Sequence, residues 1–308
     1  MGSEGNGTRP PRQDQPDLPG EQARAPVEVR FHGDLNDFLP VALRNSALRR
    51  RIIGRPAVKD VLEAAGVPHP EIALVFVNDA PVGLDHRLDP GDRVAAYPAG
   101  WARPGLSPPV VMSPPGALPP PGAMPPPGAM PPPGAMPPPG AMPAQPTGAA
   151  RFVLDGHLGR LAAYLRMCGF DTAYRRDAAD DELARMAGAD DRILLTRDVG
   201  LLKRSVVRRG AFVRSERPAE QLVEVFRRFD LVGHVRPFVR CLRCNGPLEP
   251  VERERVESEV PPRVYREQVA FSRCADCGGI FWRGSHHARM SRLLARALDA
   301  GRPGLAAG

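Results

Sequence analysis

Two groups of side chains in this sequence have the types and the spacing to hold metal ions. The first is sulphur: Cys241-Leu242-Arg243-Cys244 and Cys274-Ala275-Asp276-Cys277, two Cys-x-x-Cys pairs with 29 residues between them. Each is followed closely by glycine, Gly246 in one case and Gly278-Gly279 in the other, and two such knuckles can set four thiolates tetrahedrally around Zn²⁺. A shell of four cysteines leaves no open coordination position. Its chemistry is structural, the binding energy going into folding a segment too small and too polar for a core of its own. The second group is oxygen: Asp155, Asp180, Asp181 and Asp198.

Each of these acids stands at the end of an apolar stretch or the start of a helical one. "RFVL" runs into Asp155, "RILLT" runs through Arg197 into Asp198, and Asp180-Asp181 open "DDELARMAG". Any of them alone can serve as a helix cap. Together, on a parallel sheet, they would gather just beyond the carboxyl ends of the strands, where such sheets place functional groups. Carboxylates converging there with no matching lysines repel one another, and a hard cation such as Mg²⁺ or Mn²⁺ relieves the conflict. Two such ions about 3.5–4 Å apart can activate water and stabilise the leaving oxygen of a phosphodiester.

The elements that must position these groups can be read from the hydrophobic pattern. Residues 151–240 alternate: "RFVL" strand, a helix with Leu158, Leu161, Ala162 and Leu165 at i, i+3, i+4 and i+7, "FDTAY" strand, "DDELARMAG" helix, "RILLT" strand, "GLLKRSVVRR" helix, "AFV" strand and "AEQLVEVFRRF" helix. That alternation predicts a parallel sheet covered on both faces. Residues 241–290 predict a zinc ribbon whose charge-rich middle is strand-compatible, and 291–308 a C-terminal tail.

Ahead of this α/β unit the chain changes character. From Pro114 to Pro143 it repeats "PPPGAM" with a period of six; glycine at every sixth position rather than every third excludes collagen. Polyproline II segments broken by Gly-Ala-Met predict a semi-extended tether, at ~3.1 Å per residue, within a linker over 99–150. Residues 26–98 read as a small α+β unit: "VEVRFH" strand, "AVKDVLEAAGV" helix, "IALVFVNDAPV" strand, turn and strand, and "LDPGDRVAAYP" turn and strand. Residues 1–25 read as a disordered tail.

The order of these elements, and the "VND...LDPGDRVAAYP" ending, resemble the β-grasp ubiquitin-like fold of small sulphur-carrier proteins. That family's carriers end in a free Gly-Gly; here the chain continues through Pro98-Ala99-Gly100-Trp101. The resemblance therefore implies a docking module for a protein partner, with carrier chemistry ranked last. The stretch from "FVLDGHLGRLAAYLRMCGF" to "RILLTRDVGLLKR" resembles the Mut-seven C-terminal RNase family, a PIN-like branch, through Asp155-Gly156, Leu158-Gly159-Arg160-Leu161, Asp180-Asp181-Glu182-Leu183 and Leu195-Thr196-Arg197-Asp198. The resemblance continues through the cysteine pairs into "FWRGSHH". It implies a metal-dependent ribonuclease, which the carboxylates alone do not distinguish from a deoxyribonuclease or a phosphatase.

Charge suits a polyanionic partner. The chain carries a formal +7, and residues 151–308 hold 29 of its 42 basic and 21 of its 35 acidic residues, so the excess sits beside the expected sheet. Arg197, Lys203 and Arg204 are candidate phosphate contacts, and Trp282, Arg283 and His286 could stack on or neutralise single-stranded RNA. A nucleic-acid-binding adaptor without nuclease activity is the alternative. The N-terminus lacks a secretory pattern and no apolar run approaches the ~20 residues of a membrane span, so a cytoplasmic protein with no membrane partner is expected.

Overall fold

A computed structural model describes residues 25–98 and 150–302. Apart from Ala25 and Ala150, the tail expected over 1–25 and the linker expected over 99–150 lie outside the described residues. The N-terminal unit comprises β1 (Val27–Phe31), β2 (Ala47–Arg50), α1 (Val58–Ala64), β3 (Ile72–Val77), β4 (Ala80–Val82) and β5 (Arg93–Pro98), in a sheet of order β2-β1-β5-β3-β4. The first and last strands run parallel at its centre and the other pairings are antiparallel. Val27, Val29 and Phe31 alternate inward onto Val58, Val61 and Leu62 of α1, as the periods of 2 and 3.6 require. Strand β2, "ALRR", was not foreseen. It has one buried side chain, Leu48, because an edge strand shows most of its surface to water.

The second unit begins with β6 (Arg151–Leu154), α2 (Gly159–Met167), β7 (Asp171–Tyr174), α3 (Asp180–Ala189) and β8 (Ile193–Thr196). It continues with α4 (Val199–Leu202), β9 (Gly210–Phe212) and α5 (Pro218–Phe229). The strands form an all-parallel sheet of order β7-β6-β8-β9. Two faces are buried, so neighbouring residues of one strand enter different cores. Phe152 and Leu154 meet Leu161, Leu165, Leu222 and Phe226, while Val153 meets Leu183, Ala187 and Leu201. Each of these Val, Leu and Phe side chains contributes roughly 1.5–3 kcal/mol on burial.

Two helices differ from expectation. The helix expected over "GLLKRSVVRR" is a single turn, α4. Val207 is buried in the core shared with Leu201 and Leu202, and the chain reaches it by a turn in which the Val207 N–H donates to the Arg204 carbonyl at 3.0 Å, so the helix does not continue. The expected tail from 291 is instead most of α7 (Ser285–Gly301). Its Leu294 and Ala297 are buried in the core of the parallel sheet, with Leu293 and Leu298 partly buried beside them, so this helix closes the face formed by α2 and α5.

The ribbon is an antiparallel sheet of β10 (Leu248–Val251), β11 (Phe271–Cys274) and β12 (Ile280–Trp282). Its middle is not strand: residues 253–259 make 3₁₀ turns and α6 (Pro262–Glu267) follows, with Val256 and Val260 buried against Phe271. Pro261-Pro262 stops one element and starts the next.

The two large units touch. A 3₁₀ turn over His69–Glu71 lies against β9, and the fully buried Glu71 accepts the Phe212 N–H at 2.7 Å and Arg228 at 2.9 Å. His69 Nε2 is 2.8 Å from the Val207 carbonyl. The ubiquitin-like unit thereby covers an edge strand of the parallel sheet.

Candidate functional site

The cysteine knuckles converge. Cys241 and Cys277 sulphurs are 3.7 Å apart, those of Cys244 and Cys274 3.4 Å, and all four lie within 4.8 Å of one another. A tetrahedron with Zn–S bonds of about 2.3 Å has edges of about 3.8 Å, so the sulphurs fit Zn²⁺. The first knuckle is clamped to the amino end of the parallel sheet. Buried Arg166 of α2 donates to the carbonyls of Leu242 (3.1 Å) and Arg243 (2.9 Å), and Asn245 accepts the Thr172 N–H at 2.9 Å. Asn245 also donates to Asp171 at 2.8 Å, and Asp171 pairs with Arg192 at 2.8 Å. Burial works against ionising Asp171, but the hydrogen bonds from Arg192 and Asn245 outweigh it and hold the carboxyl at about 2. This clamp was not foreseen, because Arg166 reads as a helix-surface charge and Asp171 as a turn residue.

The aspartates occupy the other end of the sheet. Asp155 follows β6 and its backbone N–H continues the ladder to Leu195; Asp198 follows the adjacent β8. Thr196 joins them. Its buried hydroxyl donates to Asp155 Oδ2 at 2.9 Å and accepts the Asp198 N–H at 2.9 Å. Asp198 Oδ1 caps α4, accepting from Gly200 (2.6 Å) and Leu201 (3.2 Å). Asp198 is therefore the helix cap that its position suggested, and its other oxygen remains available. The loop after β7 closes over this edge: a Cβ on Gly156 would lie 2.3 Å from the Arg176 carbonyl oxygen, and one on Gly159 2.5 Å from the Tyr174 hydroxyl. These contacts explain both glycines physically.

Asp180 and Asp181 are not brought to the same point. They begin α3, where Arg204 pairs with Asp181 and lies 3.8 Å from Asp180. No lysine is paired with these two acids among the described residues, but an arginine, Arg204, answers them. Among the described residues, the four cysteines are the only group of three or more ligand side chains within 4.8 Å of one another. Among the described residues, nothing hydrogen-bonds to Asp155 Oδ1 or Asp198 Oδ2.

Residues 150–294 match the Mut7-C RNAse domain, and residues 24–102 match Mut7-C ubiquitin. The chain carries both Mut7-C domains. No curated protein and no solved structure matches it. The Mut7-C RNAse match runs through the parallel sheet, the ribbon and the first part of α7, and supports a nuclease-type function.

Within the Mut7-C RNAse domain, the basic residues expected to meet RNA divide. Arg197 is engaged: it donates to the carbonyls of Arg214 and Ser215, both at 2.9 Å, and ties the end of β8 to the loop after β9. Lys203 donates to the Glu63 carbonyl of the Mut7-C ubiquitin domain at 2.7 Å, and Arg204 is spent on the acids of α3. Trp282, Arg283 and His286 are exposed, Trp282 lying 6.5 Å from the Phe271 ring. Cys168, buried in the core, has its thiol pushed up to about 12 by that burial. Among the described residues, no helix is long and apolar enough to cross a membrane.

Proposed function

We propose that this chain is a divalent-metal-dependent ribonuclease that hydrolyses RNA phosphodiester bonds at the carboxyl edge of the parallel sheet. The observation that carries the reading is the Asp155–Thr196–Asp198 chain of hydrogen bonds at the ends of two adjacent strands, inside the Mut7-C RNAse match. Asp155 and Asp198 would hold Mg²⁺ or Mn²⁺ through their free oxygens, with Asp180 and Asp181 joining only when Arg204 lets go. The ion would supply Lewis acidity toward a phosphate oxygen and toward water. Thr196 fixes the rotamer of Asp155, and the Asp198 cap fixes that of Asp198, so both carboxylates are oriented before substrate arrives. The ribbon, holding Zn²⁺, keeps the amino end of the sheet in register, and the ubiquitin-like domain serves protein contacts.

The test is cleavage of a labelled single-stranded RNA and the matching DNA in Mg²⁺, Mn²⁺ or EDTA. RNA cut in either metal and spared in EDTA is the expected result. RNA bound but intact in every metal would overturn hydrolysis and favour an adaptor, a reading that the Arg204 ion pairs support.

A further inference from the structure

A cleft of about 1200 Å³ runs between α5 and α7 and reaches the ubiquitin-like domain at Asp34. Arg214, Arg227 and Arg228 line one wall and Arg289, Arg292 and Arg296 of α7 the other. The α7 arginines recur at i, i+3 and i+7, which puts them on one helix face over roughly 10 Å at 1.5 Å per residue. None of their three guanidinium groups makes a hydrogen bond or ion pair among the described residues. The acids of the cleft are already engaged: Asp34 lies 3.6 Å from Arg214, Glu220 3.3 Å from Arg217, and Glu224 accepts the N–H groups of Arg214 and Ser215 at 2.8 and 3.0 Å. Asp299 is the only acid of α7 itself. Arg214 and Arg228 are paired with Glu71 and Arg227 donates to the Ala300 carbonyl, so the positive charge that no group answers among the described residues is that of Arg289, Arg292 and Arg296.

We propose that this cleft binds the phosphate backbone of single-stranded RNA, at a site separate from the carboxylate edge. Guanidinium forks match phosphate oxygens, and a concave groove between two helices admits a flexible strand where a duplex presents a convex cylinder. Its placement adds a direction. Arg214 and Ser215 line the cleft, and their carbonyls are held by Arg197, the residue before Asp198. A strand seated along α7 is led by this wall toward the sheet edge. The inference rests on RNA being the substrate, as proposed above, and its test separates the two.

The full chain with Arg289→Glu, Arg292→Glu and Arg296→Glu is titrated against a fluorescein-labelled oligouridylate without added Mg²⁺ or Mn²⁺ and without chelator, so that the ribbon keeps its zinc and binding is read by anisotropy without cleavage. The expected result is at least a roughly tenfold loss of affinity, with the slope of log K against log salt smaller by about 2, three phosphates at ~0.7 each. The matching triple Lys variant should bind within a few-fold of the wild type. Should the Glu variant lose its circular dichroism, the exposed Arg292→Gln alone carries the test, with a slope smaller by ~0.7. Unchanged affinity and slope would overturn the proposal. So would equal losses in the folded Lys and Glu variants, which would mark packing rather than charge, or tighter binding of polyglutamate than of RNA. RNA binding that depends on α7 in a protein that cuts nothing in Mg²⁺ or Mn²⁺ would sink hydrolysis and leave this site standing.

Discussion

The sulphur and oxygen ligands sit at opposite ends of one parallel sheet and are held in opposite ways. The four cysteine sulphurs already have the spacing of a tetrahedron, and their knuckle is fastened to β7 by Arg166 and Asn245. The four aspartates are each answered locally: Asp155 by Thr196, Asp198 by the N–H groups of α4, and Asp180 and Asp181 by Arg204. A closed shell defines a structural ion, whereas ligands with free oxygens can take and release one beside a substrate. Ligand convergence therefore finds the structural ion readily and misses the place where chemistry would occur.

Removing the closed site should have the largest effect. Cys244→Ser leaves three thiolates, and the loss of an ion whose binding supplies on the order of 10 kcal/mol in isolated zinc modules should unfold the ribbon. Metal analysis would then fall from one zinc per chain, and thermal unfolding would move down by many degrees. A Tm unchanged by the substitution would break the comparison at its first term. The open site predicts the reverse pattern, activity lost with stability kept. Asp198→Asn retains an oxygen to cap α4 but not the charge, so cleavage should fall at least roughly a hundredfold, as when a charge-stabilising group is removed. Stability should move by under about 1 kcal/mol, while Asp198→Ala should cost a further ~1 kcal/mol for the cap. Full activity in Asp198→Asn would reduce Asp198 to a capping residue.

A smaller effect tests the clamp that holds the knuckle to the sheet. The Asp171 carboxyl is held at about 2 in the folded chain, below the ordinary value of about 3.9 in an unfolded one. Its contribution is therefore present in full above about pH 4 and is lost as pH falls through 2. The value is roughly 1 kcal/mol, because water screens a partly exposed carboxylate. Urea unfolding of the wild type and of Asp171→Asn should differ by that amount at pH 6 and converge toward pH 2, whatever zinc does in both. A difference independent of pH would show that packing, and not ionisation, ties the knuckle to β7.

The physical reason for what the sequence disclosed runs along the same line. Strands buried on both faces are uninterrupted apolar runs, so "RFVL" and "RILLT" were legible, and with them the acids that end them. The Cys-x-x-Cys spacing is local and was equally legible. What escaped depends on partners distant in sequence. Arg204 reads as a phosphate contact until α3 is folded beside it, and Lys203 until Glu63 of the other domain arrives. Helix α7 read as a tail because its apolar residues, Met290, Leu293, Leu294 and Leu298, are diluted by arginine; only the face formed by α2 and α5 makes them a core. Nothing in "HPEIA" marks Glu71 as buried, since its partners Phe212 and Arg228 lie in the other unit.

The smallest expected effect bears on whether the open site has two carboxylates or four. Arg204 competes with any cation for Asp180 and Asp181, and at this exposed place, with Asp181 at 88% side-chain exposure, the ion pairs contribute only about 0.2–1 kcal/mol. A divalent ion can displace a bond that weak, so the pairs would regulate metal affinity and not fold. Arg204→Gln removes the competitor while leaving a side chain of similar reach. If α3 supplies ligands, the Mn²⁺ concentration for half-maximal RNA cleavage should fall about threefold, the equivalent of some 0.6 kcal/mol, with Tm nearly unchanged. If the Mn²⁺ requirement stays where it was, Asp180 and Asp181 are acids at a helix start, favoured there by the dipole, and the ion belongs to Asp155 and Asp198 alone.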